Sequence, residues 1–183
     1  MRKNKSGNLI FLIFLTFLLF PTVGQSQELR RNTNSPLLDG RIQSGEYGYQ
    51  KDFGNFQIYL GWNGNKLFAA VSTGTIAWVA MGFGSTRMDN AKMLIGYLRD
   101  GKAVLRTDLG RGHSHGSIPE QLAVNYALDQ SAGKTILEVE LDETDILGAG
   151  DDNLKMICAV GSSNNFPSRH QYRIGLQVPI KRN

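Results

Sequence analysis

The stretch Phe56-Gln57-Ile58-Tyr59-Leu60-Gly61-Trp62-Asn63-Gly64-Asn65-Lys66-Leu67-Phe68-Ala69-Ala70-Val71-Ser72 decides the fold class. Phe56, Ile58, Leu60 and Trp62 alternate with Gln57, Tyr59 and Gly61. That period of two puts successive side chains on opposite faces of a strand. Asn63-Gly64-Asn65 follows, and asparagine and glycine tolerate the positive φ of a tight hairpin turn. The return from Lys66 to Ser72 is apolar almost throughout, as a strand covered on both faces is. The segment therefore reads as a β-hairpin inside a sheet.

The same pattern extends in both directions. Ile76 to Phe83, Met93 to Leu98, Lys102 to Leu109, Gln121 to Leu128, Lys134 to Leu141, Leu154 to Val160 and Ile174 to Ile180 read as further strands. Asp100-Gly101 is a second hairpin turn, and residues 110–120 read as irregular loop. Leu137, Val139 and Leu141 share one strand face, with Glu138 and Glu140 on the face towards solvent. One helical turn is expected near Thr144 to Gly148. No long helix competes, and glycine is abundant, so many short strands joined by turns are expected. The fold class is all-β, an antiparallel immunoglobulin-like β-sandwich of about nine to eleven strands.

The first 26 residues have the layout of a secretory signal peptide. Arg2, Lys3 and Lys5 precede an apolar run from Leu9 to Phe20, then Pro21 and small or polar residues. That run is short for a hydrocarbon core, so export with cleavage near Ser26 is expected rather than a retained anchor. Residues 27–36 then form a flexible lead-in and residues 37–183 a single domain, periplasmic or extracellular, with no stable membrane insertion after cleavage. Cleavage removes three of the 20 basic residues and none of the 16 acidic ones, so the net charge falls from +4 to +1. The basic balance is then poor support for a nucleic-acid partner, and none is expected.

Cys158 stands alone, so no internal disulfide is available, and its apolar neighbours make it a core residue. No C-x-x-C-H motif attaches a haem covalently. No nucleophile stands beside a base motif and no glycine-rich phosphate loop precedes a helix. The chain is therefore not expected to be an enzyme by itself.

Several segments carry a resemblance to the DOMON family. They are Leu38-Asp39-Gly40-Arg41-Ile42, Gly45-Glu46-Tyr47, Ala77-Trp78-Val79-Ala80-Met81-Gly82-Phe83-Gly84, Met88-Asp89-Asn90-Ala91-Lys92-Met93-Leu94-Ile95-Gly96-Tyr97, Asp100-Gly101, Thr107-Asp108 and His170-Gln171-Tyr172-Arg173-Ile174-Gly175. In this order they resemble the bacterial stand-alone DOMON proteins over roughly residues 37–181. That family is related to the cytochrome domain of cellobiose dehydrogenase and the N-terminal domain of dopamine β-hydroxylase. Lys92 departs from the pattern, because the family usually has an acid there.

The resemblance implies a b-type haem held by Met88 and His170 as axial ligands. A thioether and a neutral imidazole both bind haem iron, and the thioether raises the reduction potential. With both axial positions filled, such a centre relays electrons, here to a redox partner protein not identified by the sequence. Arg169 and Arg173 are candidates for pairing with the propionates, since a guanidinium fork matches a carboxylate. Phe83, Tyr97, Phe166 and Tyr172 are candidates for the apolar walls. His113 and His115 are further candidates, for a metal ion with Asp108 or Glu120 as a third ligand, or in place of His170 as haem ligand. The alternative is a haem-free module binding a carbohydrate or another ligand on the same sandwich, with Tyr47, Tyr49, Trp62 and Trp78 as its aromatic candidates.

Overall fold

A computed structural model describes residues 27–31, 35–148 and 150–182. The expected export signal, residues 1–26, lies outside these. The described strands are β1 (Leu29–Arg30), β2 (Tyr49–Asp52), β3 (Phe56–Trp62), β4 (Lys66–Thr73), β5 (Val79–Phe83), β6 (Lys92–Arg99), β7 (Lys102–Arg111), β8 (Ser114–Ser117), β9 (Ala123–Ser131), β10 (Lys134–Asp142), β11 (Asn153–Gly161) and β12 (His170–Lys181). The helical turn is α1 (Glu143–Ile146). One sheet has the order β1-β12-β11-β5-β6-β7-β8 and the other β2-β3-β4-β10-β9. Among the described pairings only β1 with β12 is parallel. The chain is thus a β-sandwich.

The hairpin read from the sequence forms as expected, with Trp62 opposite Leu67 and Phe56 opposite Thr73. Gly64 takes a φ of 94° at the turn. Alternation then fills the space between the sheets. Ile58, Leu60, Val71, Leu137 and Val139 meet Val79, Met81, Phe83, Leu94, Met156 and Val160, and each of these is buried in one cluster. Burying each such side chain contributes roughly 1.5–3 kcal/mol. Gly96 also faces inward, and a Cβ there would stand 3.0 Å from Leu137 Cδ2, so a larger residue would push the sheets apart.

Three features differ from the sequence reading. Leu29, inside the stretch expected to be a flexible lead-in, is fully buried and β1 pairs with Ile180–Lys181. β8 forms within residues 110–120 although it is polar and exposed throughout. It exists because β7 runs on to Arg111 and offers its ladder to Ser114–Ser117, a long-range pairing that no apolar alternation announces. Glu138 does not face solvent: it is fully buried on the outer face of the five-stranded sheet.

That outer face is covered by the segment from Leu38 to Tyr47, which packs Leu38, Ile42 and Tyr47 on Tyr59, Phe68 and Ala70. The Glu138 carboxylate accepts hydrogen bonds from the Tyr47 hydroxyl at 2.7 Å, the Gly40 N–H at 2.7 Å and the Asp39 N–H at 3.2 Å. Burial pushes its pKa up, and the nearby Glu46 adds to that, while the three hydrogen bonds pull it down; the net shift is upward. The folded state therefore holds this proton more tightly than the unfolded chain. Stability from this group falls as pH rises from the ordinary value of 4.5 to the higher folded value.

Two outcomes are expected. Tyr47→Phe removes a donor from a buried acceptor and should lower the unfolding free energy in urea by about 1–3 kcal/mol at pH 7. Glu138→Gln should flatten the decline in stability above pH 4.5; a slope equal to that of the unmodified protein would show that Glu138 does not titrate as described.

Candidate functional site in a groove on the outer face of the larger sheet

Strand alternation defines the site. In β5, Val79, Met81 and Phe83 point into the sandwich, so Ala80 and Gly82 point out. Cross-strand register extends this outward row. Gly82 stands between Ile157 and Met93, with Gly175 beyond Ile157 and Asp108 beyond Met93. Ala80 stands between Ala159 and Ile95, with Arg173 and Arg106 beyond them. The middle of the face is apolar, with Ala80, Gly82 and Ala159 as its small residues, while its flanks carry charge. A Cβ at Gly82 would stand 2.8 Å from both Ile157 and Met93, so these side chains close over the glycine to make the floor.

The result is an open groove of about 790 Å³. One end is closed by the loop 84–90. The Thr86 carbonyl lies against Gly175 and the Met88 carbonyl against Gly110, so closely that a Cβ at either glycine would collide with it. Thr86 and Met88, two residues apart, thus rest on β12 and β7, which have three strands between them. Two residues span about 7 Å, and four ladder spacings measure about 19 Å in a flat sheet. The outer strands therefore curl towards the loop. Asn90 at a φ of 60°, its N–H donating to the Gly110 carbonyl, and the Gly112 N–H donating to Asp89 at 2.7 Å fasten it.

The other end is closed by the loop between β11 and β12. Phe166 stacks on Tyr97 at 5.2 Å between centroids and meets the edge of Trp78 at 5.7 Å. The Arg106 guanidinium lies 5.1 Å from the Phe166 ring. The Trp78 indole N–H donates to the Ser168 hydroxyl at 3.0 Å, tying this loop to the sheet.

Asp108 anchors the β7–β8 flank. It is fully buried, and accepts from Arg106 Nη2 at 2.7 Å and pairs with His115 Nδ1 at 2.6 Å. Burial works to raise its pKa, but the bonds from Arg106 and His115 outweigh this and hold the carboxyl below the usual carboxylate range. Across the groove, His170 is half-buried, with its pKa pushed down by burial, then by Arg173 and Arg169. It is therefore a neutral imidazole at neutral pH, the form that binds metal.

Most sequence-predicted residues converge here. Met88, His170, Arg169, Arg173, Phe166, His113 and His115 all line the groove. Phe83 and Tyr172 do not, which corrects their reading as walls. Both pack into the interior between the sheets, because their positions have the inward parity of β5 and β12. Tyr97 lies on the outer face beneath Phe166 and supports the groove without lining it. His170 is the first residue of β12, which begins ahead of the strand expected from Ile174 to Ile180. Lys92 pairs with Glu120 at 2.7 Å, away from the groove, so the reversed charge is neutralised locally. Of the aromatic candidates for a sugar site, Tyr47, Tyr49 and Trp62 are buried outside the groove and Trp78 lines it. Sequence reasoning missed the floor residues Ala80, Gly82 and Ala159, whose legible sign was the small residues at even positions of β5; it put Asp108 with His113 and His115 as a further metal ligand, and the structure sets it on the His115 ring instead.

No protein-family model matches the sequence, and no curated protein matches it either. Solved structures do share its fold. The cytochrome domain of Myriococcum thermophilum cellobiose dehydrogenase aligns with a TM-score of 0.53 at 7% identity, over 73% of this chain and 81% of that one. The cytochrome b domain of pyranose dehydrogenase from Coprinopsis cinerea aligns with a TM-score of 0.51 at 10% identity, over 68% and 75%. A family 9 carbohydrate-binding module from Caldicellulosiruptor kristjanssonii, solved with glucose, aligns with a TM-score of 0.52 at 11% identity, over 85% and 96%. At these identities the likeness shows the fold alone.

Gly175→Ala should displace the loop 84–90, because its Cβ meets the Thr86 carbonyl. Gly175 does not have a positive φ, so the substitution adds no backbone strain of its own. Faster tryptic cleavage after the exposed Arg87 is the expected outcome. An unchanged cleavage rate would show that Gly175 does not pin this loop.

Proposed function

We propose that the groove binds b-type haem and that the protein is an exported electron-relay module of the DOMON type. One observation carries the reading: all three histidines of the chain, together with Met88, line a single apolar-floored groove. The residues fit the group. His170 and Met88 provide an imidazole and a thioether, the ligand pair that the family resemblance implies. Ala80, Gly82, Ala159, Ile157, Met93 and Ile95 provide an apolar bed, and Arg169 and Arg173, exposed at the rim, suit propionates. Arg87 lines the same groove, whose one acidic side chain among the described residues, Asp89, is engaged by the Gly112 N–H. The electrostatics thus favour an anionic ligand with an apolar body. The groove's volume falls in the range of ligand-binding clefts, about 300–1,000 Å³.

A bound haem would supply one-electron transfer, with His170 and Met88 as the residues to hold it. The chain's own groups bind, orient and partly shield the group, which fits a relay rather than a catalyst. The redox partner belongs outside the cytoplasm, as the N-terminal signal implies. No helix among the described residues is long and apolar enough to cross a membrane. The solved cytochrome domains on this fold support the reading.

Protein supplied with hemin should show a Soret band and a low-spin ferrous spectrum. His170→Ala should change that spectrum. Ala159→Leu should fill the floor and abolish uptake, while the unfolding free energy in urea falls by less than the roughly 1–3 kcal/mol of core overpacking, because Ala159 faces the open groove. A colourless protein that ignores hemin would end this reading.

One observation favours a second reading, a carbohydrate-binding module. The sugar-bound neighbour aligns over the larger share of this chain, 85% against 73% for the cellobiose dehydrogenase domain. In that case Trp78 and Phe166, the aromatic side chains on the groove, would be the contacts. Calorimetric titration with glucose and cellotriose, repeated on Phe166→Ala, decides it; no heat with either sugar removes the alternative.

A further inference from the structure

We propose that His115 is an iron-binding imidazole of the groove and that Asp108 positions it for that role. The proposal rests on the haem reading and goes beyond its thioether–imidazole pair. Of the three histidines lining the groove, His115 alone has a carboxylate on its ring. The partner, Asp108, is fully buried and bridged by Arg106, so it is a fixed anion rather than a mobile surface group. A carboxylate at Nδ1 keeps the proton on that nitrogen and leaves Nε2 as a bare lone pair. That is the arrangement in which metal-binding histidines are commonly held, with the second ring nitrogen donating to a carboxylate.

The flank matters as much as the tautomer. Gly110 is the cross-strand partner of His115. A Cβ at Gly110 would also stand 3.2 Å from Met88 Cγ. His115 and Met88 are thus neighbours on the β7–β8 side, and His170 begins β12 on the other. A group bound in the groove would have both an imidazole and a thioether to draw on from the β7–β8 flank, with His170 on the other. The thioether favours ferrous iron; the imidazole binds either oxidation state well. His115 would hold the ferric form, which a thioether binds weakly, and Met88 would hold the ferrous form.

The test uses full-length protein loaded with hemin, with His115→Ala, Asp108→Asn and Met88→Ala beside it. His115→Ala should change the ferric spectrum, and Met88→Ala should change the ferrous spectrum alone. Asp108→Asn should weaken hemin binding about 10–100-fold, the usual cost of losing such a supporting carboxylate. Nitrogen NMR of the haem-free protein gives an independent readout: the His115 ring should carry its proton on Nδ1, and Asp108→Asn should abolish that preference. His115 is on an exposed hairpin, so its replacement leaves the fold intact even if the buried Asp108 variant does not fold. A ferric spectrum unmoved by His115→Ala overturns the proposal while leaving the haem reading standing. An Nε2-protonated ring overturns the role of Asp108. A wild-type protein that takes up no hemin overturns the haem reading and this proposal together.

Discussion

Strand alternation in β5 is the constraint on which the rest depends. Val79, Met81 and Phe83 point into a dry interior shared with the smaller sheet, and this fixes Ala80 and Gly82 on the other side. A shift of one residue would bring the large side chains out onto the groove and the small ones into the core. The stability of the sandwich and the depth of the groove are therefore two faces of one register.

Two buried carboxylates show how differently this fold uses charge. Glu138 is held by backbone N–H groups and a tyrosine hydroxyl, with no cation on it among the described residues, and its proton is retained to higher pH. It fastens the segment from Leu38 to Tyr47 across the smaller sheet. Asp108 is held by a guanidinium and an imidazole and stays ionised. A neutral bonding environment suits a structural latch, while an ion-paired one suits a group that orients another side chain. The Asp39-Gly40 and Tyr47 positions that support the family resemblance have in this way a purely structural reason to exist.

The groove is built by loops resting on glycine. Gly110 and Gly175 let the loop 84–90 touch the sheet at β7 and β12, and Gly161 leaves room for the Trp78 indole at the other end. This economy explains how one sandwich accommodates unlike ligands. The solved neighbours include cytochrome domains and a carbohydrate-binding module solved with sugar. The scaffold specifies where a ligand can lie; the side chains on the loops and flanks specify which.

The sequence alone determined the strands that have a local cause. Alternation over 56–62 and 134–141 and turn residues at 63–65 and 100–101 led directly to hairpins that form as read. It also named Met88, His170, Arg169, Arg173, Phe166, His113 and His115, which the fold brings to one groove. Tertiary structure alone decided what depends on partners distant in the chain. β1 and β8 exist only because β12 and β7 offer free ladders, and Glu138 is buried only because residues 38–47 fold back over it. Phe83 and Tyr172 were misplaced because a list of aromatic neighbours carries no parity, and parity is set by which face a sheet turns to its partner. Asp108 could be grouped with His113 and His115 from the sequence, but not its hydrogen bond to the His115 ring: a contact across a hairpin follows from register, and register is a property of the assembled sheet.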